Sequence, residues 1–143
     1  MRLGISMANV DSVLRAYHVD VDNDDIGEIA YTNNLNEMRR LTGSPLVSIL
    51  SVRIGGVPYR VICAGNATER TSGRKVSALD TGGRAALRGS LVICAVSKEY
   101  GDESLVSMDD AKMGLVRDSM ALVDIGSGES KYNTYVVCDL EVV

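Results

Sequence analysis

The sequence predicts an α+β domain, a mostly antiparallel β-sheet with two short helices and a long glycine/arginine-rich loop. Three observations carry that prediction. Apolar and polar side chains alternate from Leu14 to Asp22, two β-rich runs flank Gly55-Gly56, and Leu35, Met38 and Leu41 recur at three-residue intervals ahead of Gly43 and Pro45. A chain of 143 residues, 45% hydrophobic, has the size and apolar content of one domain with its own core. Residues 1–143 are therefore read as a single unit, with 1–118 as its core and 119–143 as a C-terminal hairpin.

Taken in order, Ser12 to Asp22 is the first strand, because period two gives a strand one buried face. The run NDDIGE then reads as a polar turn. Thr32 to Gly43 reads as a helix, capped by Thr32 or Asn33 and stopped by Gly43, with Arg39 and Arg40 at its basic end. Leu46 to Ile54 and Val57 to Ala64 form a hairpin, with Pro58 at a strand start or edge. Gly65 to Gly89 has five glycines and no sustained period, so it reads as a long loop with at most a turn of helix at Arg84 to Leu87. Ser90 to Val96 is a near-continuous apolar strand, expected to be central. Tyr100 to Glu103 turns, Ser107 to Asp110 offers an N-cap, and Ala111 to Arg117 is the second helix. Met120 to Ile125 and Tyr132 to Val143 close the chain as a hairpin around Gly126 to Lys131.

Phe and Trp are absent, so Val, Leu, Ile and Met must fill the core and the six Tyr are its only aromatic rings. No run of about 18 apolar residues exists to span a membrane. The first residues, MRLGISMANVDSVLR, carry charge too early for a secretory segment, so the protein is expected to stay in the cytoplasm. Cys63, Cys94 and Cys138 each sit in an apolar run without a C-x-x-C pair or nearby His, and are expected to be buried, reduced and inert.

The net charge of -4 argues against a general grip on nucleic acid, but the charge is unevenly placed. Residues 53–88 hold Arg53, Arg60, Arg70, Arg74, Lys75, Arg84 and Arg88 against Glu69 and Asp80, a net of +5, while both flanks are acidic. Six of the seven cations are arginine, whose planar fork grips phosphate or carboxylate through two hydrogen bonds at once. The same window is rich in glycine, which lets backbone N–H groups approach an anion. Arg74, Lys75, Arg84 and Arg88 are thus the centre of an expected anion site, with Arg60, Tyr59 and Asn66 beside it and Asp80 as a bystander. The competing account is that these cations pair with the acidic flanks.

Other signals point to no chemistry. Asp20, Asp22 and Asp24 alternate as in a calcium loop, but Asp25 stands where the glycine belongs and Tyr31 where the closing Glu belongs. No metal and no cofactor is expected. His18 is the only histidine and lies in a strand, where packing or hydrogen bonding is its expected role; a Ser90 or Cys94 nucleophile would need it as base. Gly126-Ser127-Gly128 lacks the nucleophile-elbow pattern and no Walker pattern is present, so no enzyme activity is expected.

From Val13 to Asp118 the order of parts resembles a phage-borne domain family of unknown function. The likeness lies in the helix ending Met38 to Gly43, the hairpin Val47 to Ala64, a polar loop with Asn and Gly, the run Gly89 to Ile93, and the Ser104-Leu105 step into a short acidic helix. Ser72 to Leu79 departs from it, standing where that family has a proline-bearing Asn-Arg element. The resemblance implies a bacteriophage or prophage accessory protein in the infected host's cytoplasm, of the anti-defence type that blocks bacterial immunity. The expectation is a binding module that sequesters a nucleotide-derived immune second messenger, such as a cyclic ADP-ribose isomer or a cyclic oligonucleotide, with neither membrane nor nucleic acid as direct partner. A domain this small has little room to enclose a nucleotide, which favours a homo-oligomer. The alternative is an acidic inhibitor or nucleic-acid mimic that blocks a host nuclease or restriction enzyme.

Overall fold

A computed structural model describes residues 8–99 and 102–143, apart from the side chain of Glu99. It confirms the mostly antiparallel α+β architecture. The large sheet has the order β11-β3-β4-β7-β1-β2, built from Leu140–Val142, Val47–Ile54, Val57–Ala64, Leu91–Glu99, Val13–Asp20 and Asp25–Thr32. A seventh strand, β8 (Asp102–Val106), pairs with the second half of β7. The small sheet has the order β6-β5-β10-β9, from Ala85–Arg88, Val76–Leu79, Tyr132–Val137 and Met120–Ile125. The helices are α1 (Leu35–Thr42) and α2 (Asp110–Asp118).

Period two in the central strands sorts the core into two layers. Leu14 and Ala16 of β1, Ile62 of β4 and Val92 and Cys94 of β7 face α1 and pack against its Met38 and Leu41. Tyr17, Val19, Tyr59, Val61, Leu91 and Ile93 face the other way. There they share one core with Ala78, Leu87 and Val137 of the small sheet and Met113 and Val116 of α2. The result is three layers: α1, the large sheet, then the small sheet with α2. No helix among the described residues is long and apolar enough to cross a membrane.

Several sequence expectations need correcting. The run NDDIGE is not only a turn, because β2 begins at Asp25 and pairs with β1 along its whole length. Ile26 packs on one core layer and Ile29 and Tyr31 on the other, with exposed Asp25, Glu28 and Ala30 among them, so no apolar alternation announces it. Helix α1 starts later than expected and is capped by Asn34, whose side chain accepts from Glu37 N–H, with Gly43 at φ 65° closing it. The loop 65–89 contains β5 and β6, so the expected uninterrupted loop is absent and Arg84 to Leu87 is strand rather than helix. Of the expected turn Tyr100 to Glu103, the first two residues lie outside the described set and Asp102 and Glu103 belong to β8. The closing hairpin is split. β10 pairs with β9, but at Asp139, φ 55°, the chain turns and β11 crosses to the large sheet beside β3. Val137 and Leu140 are fully buried in the shared core, so 119–143 is integral to the domain.

The other elements stand where the sequence placed them. Gly55-Gly56 turn the β3–β4 hairpin with φ of 56° and 82°, a left-handed pair that side-chain-bearing residues rarely adopt. Pro58 is the second residue of β4. β7 is central, between β4 and β1. Asp109 caps α2 by accepting from Lys112 N–H.

Candidate functional site

The seven residues expected to form an anion site fall into three places. Tyr59 is fully buried, its hydroxyl donating 3.0 Å to the Lys112 carbonyl, and burial followed by the charge of Asp109 pushes that hydroxyl's pKa up. Its ring belongs to the core and has no free face for a ligand. Arg60 lies on the α1 side of the large sheet, where its guanidinium meets Glu103 of β8 at 2.6 Å. The Arg60 side chain is 12% exposed and Glu103 33%, so this pair is largely internal. For Arg60 the competing account, pairing with an acidic flank, is correct.

The second place is the turn between β5 and β6. Asp80 Oδ1 accepts from the N–H groups of Gly82 and Arg84, both at 2.9 Å, and its own N–H donates 2.8 Å to the Arg84 carbonyl. Asp80 is therefore the keystone of the turn and no bystander. Arg84 is exposed at this tip, and with four residues at about 3.3 Å each it sits some ~13 Å along β6 from Arg88.

The third place gathers the remaining four. Arg88 pairs with Val76 across the β5–β6 ladder, its N–H donates 2.8 Å to the Ala67 carbonyl, and Gly89 N–H donates 2.8 Å to the Lys75 carbonyl. These bonds draw the segment 66–75 alongside the end of β6. Arg74 then folds over Gly89, and its Nε donates 3.2 Å to Asn66 Oδ1. Gly89 has φ 87°, which favours glycine, and a methyl carbon there would lie 2.9 Å from Arg74 Cδ, so any other residue would displace the Arg74 side chain. Asn66 uses the Nε edge of the guanidinium, and neither Nη group has a hydrogen-bond partner among the described residues.

Lys75 holds its Nζ 5.8 Å from the centre of the Tyr132 ring, a cation–π distance. The Tyr132 hydroxyl accepts 2.9 Å from Val76 N–H, and its own proton has no acceptor among the described residues. Sequence reasoning passed over Tyr132 because 57 positions separate it from Lys75 and the contact exists only through the β5–β10 pairing. Only its place as one of six tyrosines in a chain without Phe or Trp marked it.

Among the described residues Arg70, Arg74, Lys75, Arg84 and Arg88 make no ion pair, whereas Arg15, Arg40, Arg60 and Lys131 each do. Arg39, Arg53, Lys98, Lys112 and Arg117 make none either, but they are scattered over the large sheet and the two helices, whereas these five fall within nineteen residues on the small sheet and the segment feeding it.

The residues weighed for catalysis are otherwise engaged. His18 is half-buried with Nε2 2.9 Å from the Leu41 carbonyl. Cys94 contacts the Tyr31 hydroxyl at 3.5 Å, and Ser90 donates to Asp20 at 3.1 Å. Burial pushes the Cys63 and Cys94 thiols up to about 12. Cys138 departs from expectation, being only half-buried at the bend between β10 and β11. No group of three or more His, Cys, Asp or Glu among the described residues is placed to hold a metal ion.

The fold and the site define a mixed α+β domain that presents a cationic hairpin on its smaller sheet. No protein-family model, curated protein or solved structure matches the chain.

Proposed function

We propose that this protein is a non-catalytic binding module for a small phosphorylated, nucleotide-derived ligand, held at Arg74, Lys75 and Arg88 with Asn66 orienting Arg74. One observation carries the reading: among the described residues the cations of this stretch have no carboxylate partner, and neither Nη group of Arg74 has a hydrogen-bond partner. A guanidinium fixed by a neutral amide keeps its remaining donors for an incoming oxyanion. The class of ligand is an immune second messenger such as a cyclic ADP-ribose isomer or a cyclic oligonucleotide, and the setting is the cytoplasm of a phage-infected bacterium. A module that only sequesters requires tight stoichiometric binding and returns its ligand unchanged.

The test is calorimetric titration with a panel of cyclic nucleotides, cyclic ADP-ribose isomers and pyrophosphate. Arg74→Ala and Arg88→Ala should each weaken binding by roughly ten- to a hundredfold, since a hydrogen bond to an ionised group is worth about 1.5–3 kcal/mol. Arg53→Ala, an exposed change on β3, is the control and should not weaken it. Ligand recovered unaltered from the denatured complex supports sequestration. Unchanged affinity in both variants, or no binding to any member of the panel, ends the proposal.

A further inference from the structure

The geometry points to a two-fold homodimer formed by edge-to-edge pairing of β9. A free sheet edge offers unpaired backbone N–H and C=O groups and is normally blunted by shortness, charge or cover. The other edges here are blunted. β11 has three residues, with Glu141 at its centre. β6 has four, and a backbone N–H at its end is already taken by Ala67. β8 has five, two of them acidic, and β2 carries Asp25 and Glu28. β9 has six residues, MALVDI, with one acid and neither Pro nor Lys, and among the described residues it is hydrogen-bonded on its β10 side alone.

The exposed face at that edge is apolar at its centre. Leu122 is 55% exposed and stands opposite Tyr135 of β10, itself 38% exposed. Antiparallel pairing of two β9 strands about Leu122 places the two Leu122 side chains side by side, flanked by the two Tyr135 rings. The four form one apolar stripe across four strands, and neighbouring members lie about 5 Å apart. In this register Asp124 faces Met120 of the second copy, and the two Asp124 carboxylates are kept about 13 Å apart by four residues of strand. Each Asp124 keeps its own partners, Asn133 at 3.0 Å and Lys131 at 3.6 Å. Pairing about Asp124 would instead oppose the two carboxylates.

The second copy is the occupant because β9 is complementary to itself. A two-fold axis covers both edges in one step and joins the small sheets into one of eight strands. A six-residue ladder and four side chains make a contact at the small end of specific interfaces, so the dimer forms in a concentration-dependent way.

Light scattering on a concentration series from micromolar to millimolar should show monomer passing to dimer. Leu122→Lys should weaken association by at least about tenfold while leaving the circular dichroism unchanged, since it removes the central contact and brings two like charges together. In a Cys138→Ser background, Leu122→Cys should form an intermolecular disulfide on mild oxidation, because directly opposed residues place their Cα atoms about 4.5–5.5 Å apart, within disulfide range. A protein that stays monomeric throughout, a dimer unaffected by Leu122→Lys, or a dimer that Leu122→Cys does not cross-link overturns the inference. The monomeric outcome would assign the edge to a strand from another protein.

Discussion

Arg60 and Arg74 come from the same stretch of positive charge, and the fold treats them in opposite ways. Arg60 points from the middle of the large sheet and reaches Glu103 two strands away, so its charge is matched inside the protein. Arg74 lies on the segment 65–75 that feeds β5, and among the described residues its side chain meets the neutral amide of Asn66 and the bare backbone of Gly89. The difference is one of neighbours. Long strands bring acidic residues from distant sequence alongside Arg60. The β5–β6 hairpin is made almost entirely from the basic stretch, and its one acid, Asp80, is committed to the turn.

The largest expected effect tests whether the two sheets are energetically one body. Leu87 of β6 is fully buried in the core shared with Tyr59, Val61 and Ile93 of the large sheet. Leu87→Ala should cost about 2–5 kcal/mol, the range for a leucine removed from a packed core. Urea unfolding should keep a single transition by circular dichroism and by tyrosine fluorescence, moved to lower denaturant. Two separated transitions would mean that the small sheet unfolds by itself, and the contrast between the arginines would then reflect two bodies.

Next in size is the arginine pair itself. Arg60→Ala leaves Glu103 part-buried without its counter-charge and should cost about 1–3 kcal/mol, toward the lower part of the range for broken internal pairs because Glu103 is a third exposed. Arg74→Ala should change stability by less than about 0.5 kcal/mol. Equal losses in the two would erase the distinction between an arginine used by the fold and one left to a ligand.

Asp80→Ala comes third. Two N–H groups lose their shared acceptor at a solvent-exposed turn, which should cost about 1–2 kcal/mol in equilibrium unfolding. If instead the variant matches the wild type, the turn is held by its backbone bonds alone.

What the sequence disclosed follows the same division between large and small sheet. β1, the β3–β4 hairpin and β7 were legible because each runs eight or nine residues and packs into the core, long enough for an alternation or a continuous apolar run to show. β5 and β6 have four residues each and a register shift at Val76 to Leu79, so neither carries a period, and glycine dominates their surroundings. β2 is an edge strand with its acids outward, which hid it inside a polar run. The cationic cluster was legible as composition, since six arginines in a short window do not depend on folding. Its membership was not. Tyr59 and Arg60 lie within the window in sequence but point into the core and to Glu103, while Tyr132 joins through a strand pairing that no local pattern announces.

The smallest expected effect concerns the acidic turn between β1 and β2, on the large sheet, where Asp20 finds hydrogen-bond partners. Burial pushes the Asp20 carboxyl up, but hydrogen bonds from the Asn23 side chain, the Ser90 hydroxyl and the Asn23 backbone outweigh it, and the pKa lies below the ordinary carboxylate value. A carboxyl held lower in the folded than in the unfolded chain stabilises the fold at neutral pH. That contribution is complete above the unfolded value of about 3.9 and fades as pH falls through the lower folded value. Ser90→Ala removes one donor, so the Asp20 carboxyl should rise toward its ordinary value and the acid-side dependence should flatten. The loss at pH 7 should be about 1 kcal/mol or less, that of one hydrogen bond. Denaturation midpoints of wild type and Ser90→Ala, followed from pH 7 down to acid, should converge at the low end, because once Asp20 is protonated the strengthened bond is gone from both proteins. A gap that stays constant at every pH would show that Ser90 acts by packing alone, and that the charge of Asp20 is not among those the large sheet matches.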